Sequence, residues 1–357
     1  MVSVHKFGLP TLFIFFLIGD GLADEGKSTK IRLAIEKSLP VLQEGARTFR
    51  ERSEGGCISC HHQGLILQTV ALARQSGYSI EEGLATQERE RVHGFYARRH
   101  TLYQQALSDS HAAQRADTYG NFTVHVGYWL WGLASERVAG DESLATATRL
   151  LSTKQRQDGS WTFEDSARAP MQASDFATTA LAILALKNYG SPADAKTLDE
   201  CVVLGAKWLT TSLPRTTDES AFQLLGLFWS GTLPEKNHLT SERLFAEQRS
   251  DGGWGQQANM LSDPYATGLV VVALRHAAGI ESSHAAIQRA VDYLLSTQRA
   301  DGTWFVKTRA IPSNPYFESG FPYGKSQFIS YAASCWATQA LLLGDNNYLS
   351  AEPASLK

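Results

Sequence analysis

The sequence predicts an all-α fold, an (α/α)6 barrel of six helical hairpins, on three observations. A turn sequence recurs: Gln155-Arg156-Gln157-Asp158-Gly159-Ser160-Trp161 returns as Gln248-Arg249-Ser250-Asp251-Gly252-Gly253-Trp254 and as Gln298-Arg299-Ala300-Asp301-Gly302-Thr303-Trp304. The copies are 93 and 50 residues apart, so the wide gap is about twice the narrow one and holds a degenerate copy near 208–220 that lacks Gly-Trp. Each copy also separates two helical patterns of different character. Before the third copy Ile287, Val291, Leu294 and Leu295 recur on one helix face, whereas 265–278 is apolar almost all round. An outer layer facing solvent and an inner layer buried on both sides account for that contrast.

Taken outward from these anchors, the outer helices fall near 30–52, 79–110, 141–154, 194–212, 239–248 and 283–298. Their inner partners fall near 62–76, 120–137, 173–188, 219–230, 263–279 and 326–343. Asp175 and Asp263 stand where inner helices begin and are expected to cap them, and Ser282 or Ser283 to cap the last outer helix. The Asp-Gly turn stops each outer helix, and the tryptophan packs across the junction. Six hairpins close into a ring with no end repeat left to cap; an open solenoid is the alternative.

The stretch Cys57-Ile58-Ser59-Cys60-His61 interrupts the first hairpin where other repeats carry Asp-Gly-x-Trp. Cys-x-x-Cys-His is the arrangement that attaches haem covalently: each thiol adds to a porphyrin vinyl group, and the histidine binds iron. This predicts Cys57, Cys60 and His61 as haem c residues, with His61 as axial ligand. A zinc site completed by His61 or His62, a redox disulfide and two buried thiols are the competing readings. His62 is expected to point away from the iron, and the sixth ligand is sought among His93, His100, His125, Met171 and Met260. Cys201 and Cys335, each inside an apolar helical pattern, read as core residues.

The compartment follows from the first residues. Lys6, the apolar run 7–18 and Gly21-Leu22-Ala23 read as a signal peptide over 1–23, leaving residues 24–357 as a single toroid in the periplasm or secreted. The apolar run is too short to span a bilayer, and no membrane span is expected in the mature chain. A net charge of -3 without a long basic block argues against nucleic acid as a partner.

The Gln-x-x-Asp-Gly-x-Trp copies, with Asp263-Pro264-Tyr265-Ala266-Thr267-Gly268 and Asp175-Phe176-Ala177-Thr178-Thr179 opening inner helices, resemble the squalene cyclase and protein prenyltransferase repeat family. The resemblance implies an α/α toroid whose central cavity accepts isoprenoid chains. It does not carry catalytic residues across. The Asp-x-Asp-Asp acid of squalene-hopene cyclases is missing, Ser174 falling at the acid's position. The zinc-binding Tyr-His-Thr of the prenyltransferases reads here as Tyr265-Ala266-Thr267. The chain is also similar to exported bacterial toroid proteins that join Cys-x-x-Cys-His-His to these repeats and to a stretch like Thr308-Arg309-Ala310-Ile311-Pro312. The expected function is therefore an exported haem protein in redox chemistry or electron transfer, served by a redox partner protein. The alternatives are a protein that binds an apolar small molecule such as an isoprenoid, and a terpenoid cyclase with altered acid chemistry.

The last candidate region is the segment 305–325, where Tyr316, Phe317, Phe321 and Tyr323 stand among prolines between a turn and its inner helix. A long loop of this kind reads as a lid over one barrel mouth, with Arg309 and Glu318 placed to pair or to meet a polar ligand. Asp175 and Asp263 are the other polar residues expected at the cavity mouth.

Overall fold

A computed structural model describes residues 18–53, 58–117, 122–162, 168–232, 234–311 and 316–345, without the side chains of 18–25, 60 and 234–237. Among the described residues the regular structure is helical, apart from one isolated bridge between Arg168 and Gln172. The outer helices are α1 (Ile18–Arg52), α3 (Glu82–Ala106) continued by α4 (Ser110–Ala116), α6 (Glu142–Ser152), α8 (Ala195–Thr211), α10 (Pro234–Ala246) and α12 (Ala285–Thr297). The inner helices are α2 (Leu65–Gln75), α5 (Phe122–Ser135), α7 (Asp175–Tyr189), α9 (Thr217–Trp229), α11 (Pro264–His276) and α13 (Gln327–Gly344). The twelve expected helical segments are all present, with α1 beginning twelve residues earlier than the apolar pattern indicates.

The inner helices form a closed ring. Helix α2 packs on α5, α5 on α7, α7 on α9, α9 on α11, α11 on α13, and α13 returns to α2. The outer layer closes as well: the Gln298 amide donates to the Ala34 carbonyl of α1 at 2.9 Å, and Lys27 pairs with Asp292 at 2.7 Å. A ring rather than an open solenoid follows, because first and last hairpins satisfy each other's polar groups.

The recurring turn is one device used three times. Trp161, Trp254 and Trp304 are fully buried, and each indole N–H donates to the last turn of the preceding outer helix, at Leu151, Leu244 and Leu294 respectively (2.7–2.9 Å). Their backbone N–H groups donate to hydroxyls of the following inner helix, Thr179, Thr267 and Ser334. The glutamine of each copy spans the turn and the next outer helix: Gln155 donates to Gly159 and Cys201, Gln248 to Gly252 and Ala286. Glycine is required because φ is +87° to +94° and a Cβ would lie 2.4–2.6 Å from a carbonyl oxygen of that next helix. The repeat thus joins each hairpin to its successor.

Cap positions differ from expectation in two places. Asp263 caps α11, accepting from Ala266 N–H at 3.0 Å. Helix α7 is capped by Ser174 instead, with Asp175 one residue inside, where its charge faces the helix dipole and its carboxylate accepts from Thr162 at 2.7 Å. Helix α12 is capped by His284 rather than Ser282 or Ser283: its Nδ1 accepts from Ala286 N–H at 3.2 Å.

Aromatic side chains meet inside the ring. Trp131, Trp229 and Trp336 come from the alternate inner helices α5, α9 and α13, with ring centroids 4.8 Å and 5.7 Å from Trp131. Tyr128 of α5 and Tyr265 of α11, from opposite members of the ring, are both fully buried, and Tyr128 helps hold the Tyr265 hydroxyl above its usual range. The two free cysteines behave as core residues, Cys335 buried and Cys201 half-buried. No helix of the described residues is long and apolar enough to cross a membrane.

Candidate functional site

The haem-type motif lies where the chain leaves α1 and starts the first inner helix. Cys57 and the Cys60 side chain lie outside the described residues, as do residues 1–17 of the expected signal peptide. From Cys60 to Gly64 the backbone takes a π-helical turn that runs into α2. Ser59 anchors it: its carbonyl accepts from Gly64 N–H at 3.2 Å and its hydroxyl from His62 N–H at 3.0 Å. The Gln63 side chain returns the contact, accepting from Ser59 N–H at 2.9 Å. Such π turns are rare and are found frequently at functional sites.

The wider turn brings two successive imidazoles together. His61 Nδ1 lies 2.5 Å from His62 Nδ1 and 3.2 Å from the Ser59 hydroxyl. The two rings are thus in contact, their centroids 4.7 Å apart. It is fully buried, stacked between Phe49 (4.4 Å, 24°) and Tyr331 (3.8 Å, 20°), and its Nε2 has no hydrogen-bond partner. Phe328 and Phe49 approach His61 at 5.3 and 5.6 Å, and Phe317 packs on both of these rings.

His61 and His125 are each partly accessible. Burial, then the positive charges of Arg168 and of His125, push His61 down to about 3. Burial and Arg168 push His125 down to about 4, and burial holds His62 well below the usual histidine range. All three rings are neutral at pH 7. His125 stacks on Trp129 (5.4 Å, 10°), and its Nε2 lies 3.1 Å from the Gln172 amide nitrogen.

The other ligand candidates lie elsewhere. His93 pairs with Asp141 at 2.6 Å and His100 reaches Thr146 at 3.2 Å, both across to α6 in the outer layer. Met171 is buried beside Gln172, and Met260 sits in the loop before α11. Among the described residues no three His, Cys, Asp or Glu side chains are arranged to hold a metal ion.

A second polar group forms between α9 and α11. Arg309 donates from Nε to the Gln256 amide oxygen at 2.8 Å. Glu318 is not its partner: that carboxylate meets the Tyr316 hydroxyl, and the Gln327 amide donates to Tyr316 at 3.0 Å. Asp218, in the first turn of α9, is buried and accepts from Tyr265 at 3.1 Å. Burial pushes Asp218 up to about 7 and Asp263 up to about 6.

The segment expected as a lid divides accordingly. Its Phe317 and Phe321 pack onto the cage around the two histidines, Phe321 lying 5.1 Å from Tyr331, while Tyr316 remains exposed. Sequence reasoning missed Phe49, Phe328, Tyr331, Arg168, Gln172 and Asp218. Asp218 alone left a readable signal, since Thr216 and Glu219 around it form a capping box.

A ring of six helical hairpins defines this molecule as an α/α toroid. Neither a protein-family profile nor a curated protein matches the sequence. Solved structures do match: a wild-type glycosidase at a TM-score of 0.55 and 13% identity, over 88% of this chain and 98% of that one. Type II terpene cyclase MstE from Scytonema, bound to geranylgeranyl dihydroxybenzoate, matches at 0.51 and 12% identity, over 89% and 99%. A protein from Actinoplanes matches at 0.52 and 14%, over 86% and 99%. At these identities the likeness is one of fold, shared by proteins of different activity.

Proposed function

We propose that the chain is an exported c-type haem protein built on a toroid, with haem tethered through Cys57 and Cys60 and iron bound by His61. The observation that carries the reading is the state of His61. Its hydrogen bonds run through Nδ1, its ring is held neutral, and it is partly accessible at the start of an inner helix. A metal-binding imidazole needs this state: neutral, one nitrogen engaged by the protein, the other left for the ion. His61 therefore fits the group. When bound, haem would supply one-electron redox chemistry or small-ligand binding at iron.

The chain's own residues have separate roles. Phe49, Phe317 and Phe328 give the ligand an apolar surround, and apolar surroundings that limit water access tune the potential of an iron site. Of the five sixth-ligand candidates, His125 is the one whose protonation would act on His61, so it is the candidate retained, and binding iron through Nε2 would require it to give up its contact with the Gln172 amide. Export of residues 24–357 to the periplasm, or secretion, and a redox partner protein belong to this proposal.

The test is expression in the periplasm of a strain that matures c-type cytochromes. A Soret band and haem retained on a denaturing gel are expected, with retention reduced in Cys57→Ser and Cys60→Ser. His61→Ala should keep the covalent haem and alter its spectrum. Colourless wild-type protein overturns the reading.

A further inference from the structure

We propose that His62 is a positioning residue: its Nδ1 accepts a hydrogen bond from His61 Nδ1–H, fixing His61 as the tautomer whose Nε2 lone pair is free for a metal ion. Two ring nitrogens 2.5 Å apart cannot both present lone pairs, so one of them carries the proton. Two charged rings are disfavoured because Phe49, Phe328 and Tyr331 pack directly against them. The proton must therefore sit on one Nδ1 and be accepted by the other.

The Ser59 hydroxyl selects the donor: it donates to Gln63 Oε1 at 3.2 Å, so its oxygen, 3.2 Å from His61 Nδ1, faces that nitrogen as an acceptor and places the proton on His61 Nδ1. His62 is stacked on both faces, and the Tyr331 ring above it is tied down by its hydroxyl, which donates to the Leu42 carbonyl at 2.8 Å. With its proton on Nε2, His62 offers its Nδ1 lone pair to His61, and its N–H sits in an apolar sandwich. Were the proton on His62 Nδ1 instead, His61 would carry its own on Nε2 and present no lone pair to a metal ion. Metal-binding histidines ordinarily donate their second N–H to a carboxylate, carbonyl or water. Here a neighbouring neutral imidazole takes that place, and its Nε2 is itself spoken for by a proton, which removes His62 as a ligand.

The electrochemical consequence rests on the haem reading; the tautomer does not. In the full chain produced without haem maturation and labelled with 15N-histidine, imidazole nitrogen spectra should show His61 protonated at Nδ1 and His62 at Nε2. The reverse assignment overturns the proposal whether or not haem binds. In the haem-loaded protein, His62→Phe keeps the stacking and removes the acceptor, so His61 becomes a weaker donor. Ferric iron should lose about tenfold in stabilisation over ferrous, a rise of about 59 mV in midpoint potential. His62→Gln restores an acceptor and should return most of the shift. Equal potentials in wild type and a folded His62→Phe overturn the proposal. Absence of covalent haem in the wild type defeats the haem reading alone, and the nitrogen spectra then decide the tautomer by themselves.

Discussion

At the scale of single residues, the histidine cage depends on a side chain that is not there. A Cβ on Gly45 of α1 would lie 2.7 Å from Tyr331 Cε2 and 3.2 Å from Phe321 Cδ2. The Tyr331 ring cannot retreat, because its hydroxyl is bound to Leu42 and its other face covers His62. Alanine in a helix interior gains roughly 0.5–1 kcal/mol over glycine, but overpacking costs about 1–3 kcal/mol. Gly45→Ala is therefore expected to lose stability in urea unfolding, whereas Gly83→Ala in α3, where nothing lies within 4 Å, should hold or gain it. Equal changes at the two sites would count against a tightly packed cage. The cage was largely illegible in the sequence. The Cys-x-x-Cys-His spacing gave the candidate ligand, but a π turn has no compositional mark, so the facing of His61 and His62 could not be read from periodicity. Phe49, Phe328 and Tyr331 look like any other apolar positions on their helices.

At the scale of elements, the repeated turn explains why its residue types recur. Gly302 has φ +87° and a Cβ there would lie 2.6 Å from the Lys37 carbonyl oxygen, at the junction that closes the ring. Gly231 has a similar φ of +77° with nothing within 4 Å. Both alanine variants incur the left-handed backbone penalty of about 1–2 kcal/mol, and Gly302→Ala adds the cost of forcing α12 and α1 apart. Gly302→Ala should thus destabilise more than Gly231→Ala by at least about 1 kcal/mol, read as the difference between their urea midpoints; equal losses would mean that the junction yields freely. This level was legible because the device is local: glutamine, aspartate, glycine and tryptophan act within seven residues. Caps were read less well. Ser174 displaced Asp175 and His284 displaced the two serines, since any side-chain acceptor one residue along serves the same N–H groups.

At the scale of the whole molecule, ring closure could be counted from the repeats, whereas the interior could not. Side chains from opposite helices meet there, and with them come buried groups whose titration opposes one another. His61 and His125 are pushed down to about 3 and about 4, each chiefly by burial, while Asp218 and Asp263 are pushed up to about 7 and about 6, also by burial. The signs follow from which state binds protons. Below pH 6.5 the unfolded chain protonates histidines that the fold keeps neutral, so their contribution is lost as pH falls toward 3–4. Above pH 3.8 the unfolded chain ionises aspartates that the fold keeps protonated, so theirs is lost as pH rises toward 6–7. Asp218→Asn keeps an oxygen for the Tyr265 hydroxyl and removes one acid from this balance. Relative to wild type, the variant's stability in the haem-free chain should climb steadily between pH 4 and 7 and level off above. At 1.36 kcal/mol per pH unit the gain reaches on the order of 4 kcal/mol. A constant offset across that range would show that Asp218 is ionised inside the ring, and the interior would then have to hold its charge with Arg309 as the counterion, drawing the segment 305–311 into the core.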